Sequence, residues 1–239
     1  MSQTPNQLKK RVHYLFEFLI IVAGITLSFL LDEYRTTRDL TARSNRVLSR
    51  IQLTLADDMV DLASNIQTHS IAAEGARLMA KWAFEVREDV PQDSLEFAVS
   101  AMLMGTVYLP NEEEYNALKS SGQIEFIRDT SLVKLLYAKY SMHPFLHSID
   151  EVVNDFVRQH CYPMLNEMQA MYPPTPDYVH GPYQKIQFPE GTMPLEFSFI
   201  SGMLHMHHNF YIQQSQVVLD MTRELHLEIE RYLGRGDPH

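Results

Sequence analysis

The sequence predicts an all-α protein whose first long helix crosses a membrane and continues into a helical domain. Three observations support this fold class. Residues 14–31 form an apolar run with a single charge, and apolar residues recur at helical spacing after it. No segment alternates apolar and polar residues for more than a few positions. The 239 residues suffice for one membrane element and one further domain of about 200 residues.

The N-terminal tail, residues 1–13, is basic. It contains Lys9, Lys10 and Arg11 and no acid, so it carries +3, and the rest of the chain carries −13 because the net charge is −10. Phosphate binding needs clustered Lys and Arg, so this acidic remainder argues against nucleic acid as a partner. The single cysteine, Cys161, excludes an intrachain disulfide and a cysteine-rich metal site.

The apolar run, residues 14–31, has the length of a membrane span. At 1.5 Å per residue it extends about 27 Å, close to the hydrocarbon thickness of about 30 Å. A cleaved signal peptide would require a small-x-small cleavage site, and none follows the run. A soluble core helix would show a polar face, but within residues 18–31 the only polar residues are Thr26 and Ser28. We therefore expect an uncleaved signal anchor.

Positive charges on both sides of the span determine its predicted orientation. The cluster at 9–11 lies close to the apolar edge, whereas the arginines beyond the span are interspersed with acids. Because acids count little in the positive-inside rule, the two sides are nearly balanced, with the N-terminal side favoured. We expect a cytoplasmic N-terminus and a periplasmic domain, residues 32–239, at a bacterial inner membrane.

Glu17 is the only residue of the span with a side chain that is ordinarily charged at neutral pH. Its carboxyl group could reach the headgroups near the basic tail or be protonated; alternatively, it contacts another transmembrane helix, as intramembrane acids usually do. Glu17, Ile21, Gly24 and Ser28 are spaced by four, three and four residues, so they share one helical stripe. Gly24 and Ser28 also form a small-xxx-small pair, which lets helices approach closely. The stripe predicts a helix–helix contact in the membrane.

A helical pattern continues directly after the span. It predicts a helix from about 36 to 87, with Gly75 as the candidate break point. Within it, the close spacing of Asp57, Asp58 and Asp61 is interpreted as a solvated face. The apolar positions that define the pattern are Leu40, Val47, Ile51, Leu55, Leu62 and Ile66.

Shorter helices follow, and a long one closes the bundle. Asn111 and Asp129 are expected to cap helix N-termini, and Pro144 suits the first turn of another helix. Residues 172–194 contain six prolines and two glycines and are expected to be a non-helical excursion. The predicted helices span 94–104, 112–121, 130–142, 145–168 and about 195–233.

Two segments carry recognisable motifs. Residues 17–34 consist of a glutamate, an aliphatic run, Gly-Ile, more aliphatic residues, then acids and an aromatic residue. The second motif has the form Tyr-x-x-Leu-Lys-Ser-Ser-Gly. Together they resemble an uncharacterised family of bacterial single-pass membrane proteins. The resemblance implies a membrane-anchored helical domain and supplies no catalytic residues, because that family has no assigned activity. The residues of the second motif are Tyr115, Leu118, Lys119, Ser120, Ser121 and Gly122.

The second motif also has a structural explanation. Gly122 would provide a left-handed residue after a helix and allow a sharp turn into the next one. An anion-binding turn formed by Lys119, Ser120 and Ser121 is the alternative.

Two histidine pairs are weak candidates for metal ligands. His143 and His147 are spaced i, i+4, and His205 and His208 are spaced i, i+3. Zinc accepts such pairs when further ligands come from elsewhere. Neither pair belongs to a His-Glu-x-x-His motif, so we expect hydrogen-bonded core or surface histidines, no metal and no cofactor.

Three function classes remain. The motifs of known enzymes are missing, including a Gly-x-Ser-x-Gly elbow and a phosphate-binding glycine-rich loop, so no catalytic residue is expected. We expect a non-catalytic accessory subunit whose partners are the lipid bilayer and either another integral membrane protein or further copies of itself. The alternative is a periplasmic ligand-sensing bundle that acts through a membrane partner, since 13 residues cannot form an output domain. A metal-dependent hydrolase is the least favoured class.

Overall fold

The computed structural model describes residues 5–84, 91–171 and 195–234, and the described elements are all helical. The all-α prediction is confirmed. The predicted excursion at 172–194 lies outside the described residues. The helices are α1 (Pro5–Phe84), α2 (Gln92–Met102), α3 (Glu113–Ser120), α4 (Thr130–Ser141), α5 (His143–Phe156), α6 (Tyr162–Met171) and α7 (Leu195–Gly234), with a 3-10 turn at Gln123–Phe126 and a π-helical turn at Val157–Cys161.

Helix α1 is a single element of 80 residues. The candidate break at Gly75 is wrong, because the helix continues through it. A Cβ atom at Gly75 would lie 2.6 Å from the carbonyl oxygen of Ala98, so this glycine permits the close approach of α2 rather than a bend. Residues 85–87 of the predicted helix lie outside the described residues.

Helices α1 and α7 run antiparallel and form the long axis of the bundle. At one end, the Ser198 hydroxyl group donates to the carbonyl oxygen of Ala80 at 3.0 Å. At the other end, Leu225 and Ile229 share a buried cluster with Leu48. Residues 13–39 of α1 are exposed, so packing against the other helices begins only after them.

The shorter helices cover the remaining sides of this pair. Residues of α3 and α4 complete the cluster nearest the exposed part of α1, α5 completes the middle one, and α2 with the 157–165 segment completes the far one. The predicted helix 145–168 corresponds to three consecutive helical segments in the structure, which are α5, the π-helical turn and α6.

Two predicted caps have different outcomes. Asp129 caps α4 as predicted, since its Oδ1 atom accepts from the backbone nitrogens of Ser131 (2.9 Å) and Leu132 (3.2 Å). The predicted cap at Asn111 is wrong. Helix α3 begins after Glu112, and the Asn111 side chain donates instead to a buried carboxylate.

Candidate functional site

One described helix is long and apolar enough to cross a membrane. It is the N-terminal part of α1, where the most apolar 18-residue window has a mean hydropathy of 2.2 and none of that window is buried in the rest of the chain. This agrees with a single span near the N-terminus.

The predicted stripe lies on this exposed part of α1. Ile21 is 60% exposed, and a Cβ atom at Gly24 would meet nothing within 4 Å. The Ser28 hydroxyl group donates to the Gly24 carbonyl oxygen at 2.8 Å, so it is satisfied within the helix. These three residues line one side of a shallow groove of about 640 Å³, together with Ile25, Phe29 and Asp32.

Glu17 has a neighbour that the sequence reasoning missed. Its Oε1 atom lies 3.4 Å from Nε2 of His13, one turn earlier. The i, i+4 spacing of an imidazole and a carboxyl group was the available signal. Both side chains remain more than half exposed.

The stripe faces away from the helical bundle. Leu62, which is 0% exposed, lies 45 residues after Glu17, or about 12.5 turns on a regular helix. A half-integral number of turns places Leu62 on the opposite side of α1. Nothing among the described residues covers the stripe.

The Tyr-x-x-Leu-Lys-Ser-Ser-Gly motif lies at the end of α3. Tyr115 and Leu118 are buried in the core, and Gly122 has a φ of 71°. The Ser121 hydroxyl group donates to the Ala117 carbonyl oxygen at 2.7 Å, within its own helix. The turn is tied to α1, because the Ser44 hydroxyl group donates to the carbonyl oxygen of Gln123 at 2.6 Å. Each of these contacts shapes the chain reversal after α3.

A buried ion pair lies at the centre of the bundle. Lys139 Nζ on α4 lies 2.6 Å from Asp58 Oδ2 on α1, and the two side chains are 0% and 1% exposed. The interpretation of Asp57, Asp58 and Asp61 as a solvated face is therefore wrong for Asp58, although Asp57 is exposed and Asp61 is half-buried. Asp58 is buried because α4 brings an ammonium group to it.

The other oxygen of Asp58 anchors the segment that connects α2 and α3. Asp58 Oδ1 accepts from the backbone nitrogen (3.1 Å) and the side-chain nitrogen (2.9 Å) of Asn111. Next to it, His143 Nδ1 lies 2.6 Å from Glu112 Oε1. Burial lowers the pKa of Lys139, and the charge of Asp58 opposes that shift.

A second buried group joins α1 and α7 through two histidines. The Met102 carbonyl oxygen can only accept, so His208 Nε2 carries a proton and donates to it at 3.2 Å. His208 Nδ1 then accepts from His69 Nδ1 at 2.9 Å. His69 Nε2 in turn accepts from the Thr106 hydroxyl group at 3.1 Å. In this arrangement both rings are neutral.

The surroundings of this pair favour the neutral rings. Both histidines are 0% exposed, and His69 stacks on the Tyr211 ring with 3.9 Å between the ring centroids. Burial lowers the pKa of His69 to about 3, with a further contribution from His208, and burial lowers the pKa of His208 to about 4. Asp150 lies in the same part of the core, and burial raises its pKa to about 6, although its Oδ2 atom accepts from the Tyr108 backbone nitrogen at 3.2 Å.

These buried groups hold the segment 102–112 against α1, α5 and α7. They contact it at Met102, Thr106, Tyr108 and Asn111. Lys139 Nζ is enclosed, so a dissolved molecule cannot reach it in this conformation. The arrangement fastens residues 103–112, which connect α2 and α3 and lie outside both helices.

The four candidate metal ligands are dispersed. His143 contacts Glu112, and His208 contacts His69. His205 Nδ1 lies 2.8 Å from the Ala73 carbonyl oxygen, while His147 is 57% exposed beside Glu151. Among the residues that the structure describes, no group of three or more His, Cys, Asp or Glu residues is placed to hold a metal ion.

The fold is that of an all-α protein with one candidate membrane-spanning helix in the part of the chain that the structure describes. Comparison of the chain with protein-family models, with curated proteins and with solved structures found no match. The resemblance to the family of single-pass membrane proteins therefore stays a prediction.

Proposed function

We propose that this protein is a membrane-anchored, non-catalytic interaction subunit whose span docks against another transmembrane helix. The observation that carries the proposal is the exposed stripe of Glu17, Ile21, Gly24 and Ser28, which faces away from the bundle. In lipid alone this stripe is unfavourable. A glycine in a helix costs about 1 kcal/mol relative to alanine, and a carboxyl group in the span adds a further cost.

A protein partner removes both costs. The missing side chain at Gly24 permits close packing, and a donor on the partner satisfies the Glu17 carboxyl group. The groove beside Gly24 is shallow and largely apolar, which suits the ridge of a second helix. The bundle beyond the span then presents a rigid helical body on one side of the membrane.

The proposed orientation places the N-terminus in the cytoplasm and the bundle in the periplasm of a bacterial inner membrane. A reporter that is active only in the periplasm, fused after His239, is expected to be active, because the basic tail abuts the span. Activity of a cytoplasm-only reporter at the same position would reverse the orientation.

Substitutions on the stripe test the docking role. Gly24→Leu is expected to weaken association at least several-fold, because it blocks close approach of a second helix. Glu17→Leu is expected to weaken association while favouring membrane insertion. Association is measured by chemical crosslinking in membranes and by co-purification in mild detergent.

The matched control is Ala23→Leu. It adds similar bulk at the residue that precedes Gly24 in the sequence but does not belong to the stripe, and it is expected to leave association unchanged. Wild-type association in both stripe variants would mean that Glu17 merely reaches towards the headgroups, and the docking role would be abandoned.

A further inference from the structure

The exposed apolar residues of α1 beyond the membrane lie in line with the stripe inside it. On a helix with 3.6 residues per turn, 36 residues make about ten turns. Leu53 is 36 residues after Glu17, and Val60 is 36 residues after Gly24. Their exposures are 71% and 72%, so both side chains project from the same side of α1 as the stripe.

The line continues towards the far end of the bundle. Ile71 and Leu78 lie 54 residues after Glu17 and Gly24, or about fifteen turns. Ile71 is 39% exposed, and Leu78 is half-buried. Phe97 of α2, which is 68% exposed, joins them in an apolar groove of about 420 Å³.

This alignment is selective. Between residues 35 and 83, the large apolar side chains that are exposed on α1 are Leu53, Val60 and Ile71. All three are on the line of the membrane stripe, on the side of α1 opposite the core. We call Leu53, Val60 and Ile71 the outer face of α1, whereas Leu78 packs against the core cluster at the far end of the bundle. A surface helix that only needed solubility would carry polar residues at these positions.

We propose that the outer face and the membrane stripe form one continuous interface, and that its occupant is a second copy of this chain in parallel orientation. This inference rests on the proposed docking role of the span and specifies its partner. An occupant must cross the membrane beside Glu17 and continue as a helix alongside α1 as far as Ile71. The α1 helix of a second copy meets this requirement.

Symmetry and size agree with a second copy. Two copies inserted in the same direction place their α1 helices parallel, so each apolar position of the outer face meets its own counterpart across a two-fold axis. From Glu17 to Ile71 the helix rises about 80 Å, and a contact strip about 10 Å wide covers about 800 Å² per copy. A standard specific interface covers about 800 Å² per partner.

The line also carries charge, at Arg35 between the membrane and the bundle and at Asp57, which is exposed and lies 36 residues after Ile21. Arg35 lies five turns above Glu17, so it would approach its own counterpart, and Asp32 and Asp39 within one turn offset that charge. The apolar contacts lie below Arg35 in the membrane and above it in the bundle, where Leu53 and Val60 flank Asp57.

Disulfide crosslinking of the full chain in membranes tests this interface. In a Cys161→Ser background, Val60→Cys and, two turns earlier, Leu53→Cys are expected to give a disulfide-linked species of twice the chain mass on mild oxidation. The matched control is Val217→Cys on α7, where the native valine is 47% exposed but lies off α1. It is expected to stay monomeric. Equal dimer formation at Val217, or none at Val60 and Leu53, would overturn the second copy as partner.

Addition of Gly24→Leu separates this inference from the proposed function. Loss of the Val60 crosslink is the expected result, because the two parts of the interface act together. A Val60 crosslink that survives Gly24→Leu supports the second copy and overturns the contact in the membrane. In a third outcome, Val60→Cys stays monomeric and a different membrane protein co-purifies with the wild type but not with Gly24→Leu. This result overturns the second copy as partner and leaves the docking role in place.

Discussion

Replacing Lys139 with methionine is expected to destabilise the folded protein by about 3–5 kcal/mol. The substitution removes the ammonium group that lies 2.6 Å from Asp58 and leaves a carboxylate with 1% exposure without its counter-charge. The charge of Asp58 cannot be relieved by solvent, so the cost is that of a buried unpaired ion. For a domain of this size the melting temperature is expected to fall by roughly 6–20 °C.

Thermal unfolding of the full chain in detergent, followed by circular dichroism, measures this effect. The control is Arg77→Met, which breaks the exposed pair with Glu74 and is expected to leave the melting temperature almost unchanged. A double variant, Asp58→Asn with Lys139→Met, is expected to recover much of the loss, because it removes the charge and keeps an acceptor for Asn111. A single variant as stable as Arg77→Met would contradict the buried pair.

Acid is expected to destabilise the bundle well above the pH at which carboxylates usually titrate. In the unfolded chain histidine titrates near its usual pKa of about 6.5, whereas the folded pKa is about 3 for His69 and about 4 for His208. Between these limits the unfolded state binds protons that the folded state does not. The free energy of unfolding therefore decreases as the pH falls, by about 1.4 kcal/mol per pH unit for each histidine.

Two neighbouring groups modify this slope. Burial raises the pKa of Asp150 to about 6, so its protonation favours the folded state in the same interval and offsets about one histidine. His143 acts in the same direction as the two histidines, since burial and Lys139 lower its pKa. The net expectation is a loss of about 1.4–2.7 kcal/mol per pH unit between about pH 6 and pH 4.

Denaturant unfolding of the full chain at a series of pH values measures this slope. The double variant His69→Asn, His208→Asn is expected to be less stable at neutral pH. Its free energy of unfolding is also expected to change less steeply with pH, because unfolding takes up as many as two protons fewer. His160→Asn is the control, because His160 is exposed in the folded protein. An unchanged slope in the double variant would mean that the buried pair does not govern acid sensitivity.

The sequence predicted those features that depend on neighbouring residues. The apolar run, the helical periodicity and the cap at Asp129 are local signals, and the last helix was placed within one residue of its observed end. Gly75 shows where a local signal misled. Glycine disfavours a helix, but here its missing side chain admits the backbone of α2, a contact between distant parts of the chain.

The periodicity of apolar residues alone could not predict the buried polar groups. Asp58 follows Leu55 by three residues and precedes Leu62 by four, so it occupies a core position of α1. A polar residue at such a position was the available signal, and it was interpreted as a solvated face. Its partner, Lys139, lies 81 residues away, and only the packing of α4 against α1 brings the two together.

The same reasoning applies to the histidines. The i, i+3 spacing of His205 and His208 suggested a weak metal pair, but helical spacing does not determine what lies opposite each ring. Packing of α7 against α1 pairs His208 with His69, at a separation of 139 residues, and turns His205 towards the Ala73 carbonyl oxygen. Long-range pairing of this kind requires the tertiary structure.

The composition of the purified protein shows whether the span contacts another transmembrane helix. The full chain is extracted from membranes in mild detergent, its mass is measured, and every co-purifying chain is identified. We expect a complex larger than one chain that is lost in Gly24→Leu and kept in Ala23→Leu. A wild-type protein that purifies alone as a monomer would contradict such a contact.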